Sequence, residues 1–243
     1  MDATRINFSF GEISESMPPL PNVEGIPLPG YEKPYHQPLT DPSRVSSRNA
    51  ERVNHLLSVL PQTQEVSTLL DLGAGNSEIT NEISKTYSTI TAYACDVYPT
   101  SEFVQPNSES TLIYKEIQNE IIPVENDSVD LVTAFMSIHH FNKLDDFIKE
   151  IRRILRPGKW FFFREHDVTT MKQIHQLNRV HERYAAKNAV NKRYHMVGRT
   201  RYWARKELQK FLEERGFNYV ASSEYEKDKN AQAIYHSLFK LNK

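Results

Sequence analysis

Apolar runs alternate with amphipathic segments along the chain from Ser67 onward. Runs rich in β-branched and aromatic residues, bounded by polar turns, predict strands. Such runs occupy residues 67–73, 89–97, 127–138, 159–167, 218–225 and 233–242. Segments with apolar residues every three or four positions predict helices over residues 46–61, 77–87, 144–155 and 204–217. Pro157-Gly158 is expected to break the third of these helices.

The order of these elements predicts a doubly wound α/β fold. Continuous apolar strands that alternate with helices form a mostly parallel sheet covered on both faces. A short polar turn joins the last two strands, so this pair must be antiparallel. A length of 243 residues suits one large domain with appendages, and we assign residues 46–243 to that domain.

A proline-dense arm precedes the domain. Residues 1–45 contain the run MPPLPNVEGIPLPGYEKPYHQPLTDPSR, which has no helical or strand period. Proline fixes φ and removes a backbone donor, so this stretch is expected to be extended. It either packs on the domain surface or covers a ligand through Tyr31, Tyr35 and His36.

The composition indicates a soluble intracellular protein. The net charge of -1 leaves acidic and basic partners both open, because local charge can be hidden in a balanced total. The single cysteine, Cys95, excludes internal disulfides and offers no metal-ligand cluster, so no metal is expected. The polar N-terminus is not a signal peptide. No apolar run approaches the roughly 18 residues that span a bilayer, so we expect a cytoplasmic protein without membrane insertion.

A glycine turn follows the first strand, and an acid ends the second. Asp71 ends the first strand, and the chain then turns through Gly73-Ala74-Gly75 into a helix. The glycines let the backbone approach a ligand where a Cβ would collide. Asp96 lies at the end of the second strand, where an acid commonly accepts the hydroxyls of a ribose. Glu78 in the first helical turn would compete with a phosphate for the helix amides, so the site suits a nucleoside without phosphates plus an amino acid tail.

Four motifs stand in order between about Leu69 and Phe163: LLDLGAGNS, ACDVYP, IPVENDSVDLVTAFMSIHHF and EIRRILRPGKWFFFRE. Together they resemble the class I S-adenosylmethionine-dependent methyltransferases, specifically the type 11 methyltransferase domain. The resemblance implies a Rossmann-like, mostly parallel seven-stranded sheet with an antiparallel last strand. It also implies S-adenosylmethionine as the cofactor.

The family pattern further implies the cofactor contacts. The implied cofactor-binding residues are Asp71, Gly73, Gly75, Asp96, Val97, Gln118, Asn119 and Phe135. By this pattern Asp71 and the two glycines cradle the methionine part, and Asp96 holds the ribose. Gln118 and Asn119 occupy the positions that flank adenine, where the family usually carries an acid and a small residue. Ser77 stands where the family usually has a third glycine.

Polar side chains at the ends of the fourth and fifth strands are candidates for the methyl acceptor site. His139 and His140 follow one strand, and Glu165, His166 and Asp167 follow the other. A general base is needed only if the acceptor is protonated at neutral pH, and His140, Glu165 and His166 are the catalytic candidates. Asp167 can orient the imidazole of His166. The alternative is that the histidines pack the loop and the acids form a solvated ion pair.

A basic segment over residues 168–206 departs from a minimal fold and is predicted to be a helical insertion. It holds ten Lys and Arg residues against one acid, Glu182, with aromatic residues among them. This combination suits phosphate contacts and base stacking, with Arg199 and Arg201 as RNA-contacting candidates. The charges are otherwise merely solvated, or face a protein or an anionic membrane surface.

Three functions follow from these patterns. We expect a methyltransferase whose acceptor is a small molecule. The first alternative is an RNA methyltransferase, for example on a cap guanine, that uses the basic segment. The second alternative is a non-catalytic protein of the same fold that acts as a partner subunit or scaffold.

Overall fold

The computed structural model describes residues 42–60, 66–87, 90–97, 100, 112–118, 121–141, 143–187, 200–223, 226–227 and 233–242. Residues 1–41 of the predicted arm, with Tyr31, Tyr35 and His36, lie outside this part of the chain. Asn119 and Arg199 lie outside it as well.

Helices and strands alternate through the described residues. The helices are α1 (Pro42–Val59), α2 (Glu78–Thr86), α3 (Leu144–Ile154), α4 (Met171–Lys187) and α5 (Arg205–Glu213), with a short 3-10 helix at Ile138–His140. The strands are β1 (Thr68–Leu72), β2 (Thr91–Asp96), β3 (Ile113–Glu116), β4 (Val129–Phe135), β5 (Leu155–His166), β6 (Phe217–Ser222), β7 (Glu226–Lys227) and β8 (Ala233–Leu241). Among the described helices, none has the length and apolar character that a membrane span requires.

All of these strands belong to one sheet. Its order is β3-β2-β1-β4-β5-β8-β6, and the two-residue β7 pairs with β8. The pairs from β3 through β5 are parallel, whereas β8 is antiparallel to both β5 and β6. This topology confirms the predicted mostly parallel sheet with an antiparallel last strand. The strand order reverses between β1 and β4, and ligands of open α/β sheets bind at that position, beyond the carboxyl ends of the strands.

Apolar clusters cover both faces of the sheet, because alternate strand residues point to opposite sides. On one face, Leu69 of β1 packs in a cluster with Val53 of α1 and Ile83 of α2. On the other face, Leu70 packs in a cluster that includes Phe147 of α3 and residues of α5. Helices on both faces thus leave the carboxyl edge of the parallel strands as the place for a site.

Three strands differ from the elements predicted by the pattern, and one of them, the two-residue β7, lies in the stretch predicted to be a polar turn. β3 was not among the predicted runs, since its residues are exposed or half-buried and form no apolar run. Pro157 and Gly158 lie within β5, which already begins at Leu155. α3 ends at Ile154, ahead of Arg156, because a residue that precedes proline disfavours the helical conformation.

Candidate active site

The glycine turn after β1 lies against the 3-10 helix after β4. The amides of Gly73 and Ala74 both donate to the Cys95 carbonyl, at 2.8 and 3.1 Å, which fastens the turn to the end of β2. Gly73 has a φ of 68°, in the left-handed region that glycine adopts without strain. A Cβ on Gly73 would lie 2.4 Å from the Cβ of Ser137. Only glycine fits here, and the ends of β1 and β4 are in direct contact.

Asp96 faces the glycine turn from the end of β2. Its carboxylate accepts the Gly75 amide at 2.8 Å and the Val97 amide at 2.7 Å. Burial raises the pKa of Asp96 to about 6, although these two hydrogen bonds oppose the shift. A carboxylate has about four acceptor positions, so hydroxyl groups of a ligand can still bind this one.

Asp71 fixes the turn to its neighbours. One carboxylate oxygen accepts the Thr80 hydroxyl from α2, and the other accepts the Thr133 hydroxyl from β4, both at 2.7 Å. Burial raises the pKa of Asp71 to about 6, the two hydroxyls oppose this, and the nearby Asp96 charge adds to it. Because both carboxylate oxygens make these hydrogen bonds, Asp71 joins the end of β1 to α2 and to β4.

Helix α1 covers the start of α2 beside the turn. Asn49 donates to the Glu78 carboxylate at 3.2 Å and accepts from Arg52 at 3.1 Å. Ser77 is buried and has a φ of 59°, a conformation that favours glycine, at the position where the resemblance expects one. A cavity beside the turn is lined by Arg48, Asn49, Arg52, Ala74, Asn76 and Ile79.

The other residues expected to bind the cofactor have different surroundings. Gln118 is exposed just beyond β3 and donates to the Glu116 carboxylate at 2.9 Å. Val97 is 51% exposed and presents apolar surface beyond the end of β2. Phe135 is instead buried in the core, with its ring 5.6 Å from that of Phe162. Val97 and Gln118 are therefore accessible to a ligand, whereas Phe135 supports the end of β4.

Four histidines, which we call the imidazole cluster, gather at the ends of β4 and β5: His139, His140, His166 and His181. The ring centroid of His139 lies 4.2 Å from that of His140, 5.2 Å from that of His181 and 5.9 Å from that of His166. His139 is buried, and both His140 and His181 are half-buried. The cluster thus reaches from the core to the surface.

Glu165 holds His139 in one orientation. Its Oε1 atom lies 2.7 Å from Nδ1 of His139 and accepts the His166 amide at 2.9 Å, while Oε2 accepts the His139 amide at 3.2 Å. Burial alone would raise the pKa of Glu165, but the neighbouring His139 and His166 outweigh it and lower the pKa to about 2. An ionised carboxylate only accepts hydrogen bonds, so Nδ1 of His139 donates to Glu165. At 1% exposure, Glu165 is placed to position His139 rather than to touch a substrate.

The segment that precedes α5 covers the imidazole cluster. The Tyr202 ring stacks on His139, with centroids 5.4 Å apart and planes 24° apart. Burial raises the pKa of Tyr202 to about 12, so its phenol stays neutral. The Arg201 amide donates to the His139 carbonyl at 2.8 Å, while Arg201 itself is exposed. Part of the basic segment therefore closes over the cluster.

The structure brings together most of the residues predicted for the acceptor site. The predicted members are His139, His140, Glu165 and His166. His181 and Tyr202 join them from the basic segment. Tyr202 is one of the aromatic residues that suggested base stacking there, and its place beside the histidines was not predicted; His181 was missed. The tripeptide VHE around His181 carries no local signal of its own.

Asp167 has contacts that were not expected from the sequence. Its Oδ1 atom accepts a hydrogen bond, at 2.9 Å, from the amide of Arg205, the first residue of α5. It was predicted to orient His166. In this cluster Glu165, the residue before His166, forms a carboxylate–imidazole hydrogen bond with His139, and the orientation of His166 by Asp167 stays a prediction.

Comparisons with known proteins identify the family and the fold of this chain. A family model described as a methyltransferase domain matches residues 43–222. A SAM-dependent methyltransferase from Aquifex aeolicus is 17% identical, with a TM-score of 0.56 over 83% of this chain and 94% of that chain. A chain in the complex between the Haloferax volcanii Trm112 methyltransferase activator and a methyltransferase is 15% identical, with a TM-score of 0.58 over 83% of this chain and 93% of that chain. At these identities the solved structures show the fold alone.

A curated relative gives a shorter match. The highly reducing polyketide synthase sthA of Phaeosphaeria nodorum is 30% identical over 100 residues. The match covers 37% of this chain and 4% of that protein. This chain therefore corresponds to a small part of a much longer relative.

Proposed function

This chain belongs to the methyltransferase-domain family, and from that membership we propose that it transfers the methyl group of S-adenosylmethionine to a small molecule beside the imidazole cluster. The observation that carries the proposal is the contact between Gly73 and Ser137. It sets the glycine turn directly against the 3-10 helix that bears His139 and His140. A methyl group held at the turn would face these imidazoles.

The cofactor would lie across the carboxyl ends of β1, β2 and β3. Asp96 would accept the ribose hydroxyls through its remaining lone pairs, and Val97 and Gln118 would flank the adenine. The methionine part would lie over Gly73 and Gly75, where the backbone can approach closely.

Methyl transfer from the sulfonium is an in-line displacement. The acceptor atom forms the new bond to carbon with its lone pair, and the electron pair of the broken carbon–sulfur bond stays on sulfur as a thioether. The cofactor supplies the reactivity, so the protein acts mainly by orientation, which can supply roughly 7–11 kcal/mol of barrier reduction. An acceptor that carries a proton must also lose it, and His140 and His166 are the imidazoles proposed to accept that proton. Glu165 would act indirectly, through His139.

A small acceptor suits the covered position of the cluster. The imidazoles lie beneath Tyr202 and the backbone of Arg201, so a compact molecule would be enclosed on this side. An RNA acceptor, such as a cap guanine, is the second candidate and would approach past the exposed Arg201. A partner or scaffold protein, the third candidate, would bind the cofactor without transferring its methyl group.

Calorimetric titration with S-adenosylmethionine tests the cofactor assignment. Asp96→Asn removes a charged acceptor from the ribose, and a hydrogen bond to a charged group contributes on the order of 1.5–3 kcal/mol, so the affinity should fall roughly 10- to 100-fold. Asp127→Asn is the matched control, since it makes the same chemical change at the amino end of β4. Equal affinity in both variants would refute the ribose assignment.

The acceptor class needs a separate measurement. The protein, radiolabelled S-adenosylmethionine and a cell extract are incubated, and the label is followed into the low-molecular-weight fraction and into RNA. We expect label in small molecules that RNase treatment leaves unchanged. Label confined to RNase-sensitive material would replace the small-molecule acceptor by RNA, and cofactor binding without any transfer would favour the scaffold.

A further inference from the structure

We propose that His139, His140 and His181 form a binding site for a divalent transition-metal ion such as Zn²⁺, with an open position for an oxygen atom of the methyl acceptor. The metal site itself stands on the side chains described above. The role of the acceptor oxygen rests on the proposed function.

The three imidazoles are close enough to share an ion. One ring nitrogen from each lies within 4.8 Å of the others. Zinc–nitrogen bonds of about 2.0–2.1 Å place the nitrogens of a tetrahedral site about 3.4 Å apart, so the cluster must contract by at most about 1.4 Å. Glu165 holds His139 in place, whereas His140 and His181 are half-buried, so the contraction would fall on the side chains of these two.

Glu165 prepares His139 for this role. Its Oε1 atom already accepts the His166 amide, so it acts as an acceptor, and the Nδ1 atom of His139 must donate to it. In the neutral imidazole, which is the form that binds a metal, Nε2 then carries the lone pair on the side of the ring away from the carboxylate. A carboxylate that accepts from the second nitrogen of a metal-bound histidine fixes the tautomer and raises the basicity of the ligand.

The Nε2 atom of His139 supplies a second observation. It is buried and has no hydrogen-bond partner within the described part of the chain. A buried polar atom that stays unsatisfied costs about 1–3 kcal/mol, so such atoms in native proteins call for an explanation. A metal ion bound to this lone pair would explain both the burial and the orientation set by Glu165.

The ligand set indicates the kind of ion and its use. Imidazole nitrogens suit zinc, copper, iron and nickel rather than magnesium or calcium. Three protein ligands leave a position open, as catalytic zinc sites do, and a bound ion lowers the pKa of an oxygen ligand. The acceptor would therefore carry a hydroxyl or phenolic oxygen that loses its proton on binding. With His140 bound to the ion and no longer able to act as a base, His166, which is not one of the three ligands, would take that proton.

Cobalt titration of the chelator-treated full-length protein tests the site. Co²⁺ is a visible probe for four-coordinate zinc sites, and we expect one equivalent to bind with d–d absorption bands that Zn²⁺ abolishes by displacement. His181→Ala should lose this site. His175→Ala is the matched control, since His175 is an exposed histidine on the same helix α4. This variant should bind Co²⁺ as the parent does. Glu165→Gln should weaken binding 10- to 100-fold through the outer-shell bond.

The outcomes separate this inference from the proposed function. No stoichiometric binding by the parent, or equal binding by His181→Ala and His175→Ala, would overturn the metal site. His140→Ala repeats the test at a half-buried position if the Glu165 variant does not fold. Calorimetry with S-adenosylmethionine is run on the same samples. Cobalt binding without cofactor binding would reject the proposed function but not the metal site. Cofactor binding without cobalt binding would reject the metal site but not the proposed function.

Discussion

The contact between Gly73 and Ser137 predicts a large and specific loss of stability in Gly73→Ala. The new Cβ would lie 2.4 Å from the Ser137 Cβ, a separation at which one of the two strand ends must move. Overpacking of this kind costs about 1–3 kcal/mol, and a φ of 68° costs a residue with a Cβ roughly 1–2 kcal/mol more. We therefore expect the free energy of unfolding, measured by urea titration, to fall by about 2–5 kcal/mol.

Two substitutions at position 137 isolate the clash from the backbone strain. Ser137→Gly removes the Cβ, and the nearest remaining atom would be the Cα at 3.8 Å, which is ordinary contact. Ser137→Ala keeps the offending Cβ and removes only the hydroxyl. Both lose the hydrogen bond from the Ser137 hydroxyl to the Leu72 carbonyl, so they are matched in that respect. Gly73→Ala should therefore be rescued by about 1–3 kcal/mol in the Ser137→Gly background and not in the Ser137→Ala background.

Gly216→Ala is the control for backbone strain alone. Gly216 has a φ of 83°, but a Cβ there would meet its nearest neighbours, the Arg152 side chain and the Asn242 carbonyl, only at 3.5 Å. It should lose roughly 1–2 kcal/mol. The loss of unfolding free energy in the double variant would refute the collision if it equalled the sum of the losses in Gly73→Ala and Ser137→Gly within about 0.5 kcal/mol.

Two further predictions concern charge. The folded-state pKa of Asp71, about 6, lies above its ordinary value of 3.8, so the folded protein keeps a proton that the unfolded chain releases, and stability falls as the pH rises through this window. Asp71→Asn should remove this contribution, which is about 3 kcal/mol at 1.36 kcal/mol per pKa unit. Urea titrations at several pH values from 4 to 7 measure it, and a free energy of unfolding that falls with pH as steeply in the variant as in the parent would count against it. If the acceptor is a small molecule, Arg201→Glu and the remote control Lys85→Glu should bind RNA equally. If Arg201 contacts RNA, filter binding should show that Arg201→Glu reduces the slope of log affinity against log salt concentration by about 0.7.

The fold could be predicted largely because its apolar runs are strong and its turns carry glycine or proline. β1, β2 and β4 are buried strands and gave clear signals, whereas β3 is an edge strand whose half-exposed residues have no apolar run. α3 ends before Pro157, as predicted, but the strand begins at Leu155 instead of after Gly158, because proline favours an extended conformation at Arg156 before it. The local residue pattern predicts that such elements exist, whereas the residues at which they begin and end depend on pairing partners that are distant in sequence.

The site could be predicted only in part, for the same reason. His139 and Glu165 were both identified as polar residues at strand ends, but their bond joins residues 26 positions apart and depends on β4 and β5 being neighbours. His181 reaches them from α4, outside the core strands. No metal was expected, because cysteine content was used as the criterion for a ligand cluster. A cluster of imidazoles from three separate elements has no spacing that a sequence can reveal.

Ser137 links the two halves of the site. Its Cβ rests against Gly73, its hydroxyl donates to the last residue of β1, and the 3-10 helix with His139 and His140 begins directly after it. Because packed interiors transmit displacement rather than absorb it, a shift of the glycine turn must move this short helix as well. If the cofactor binds at the turn, as proposed, its distance from the imidazole cluster would therefore depend on these contacts of Ser137. In-line transfer depends steeply on the distance between the methyl group and an acceptor held beside the cluster, so the proposed function would give a physical reason for a glycine at position 73 that is independent of any direct contact with the cofactor.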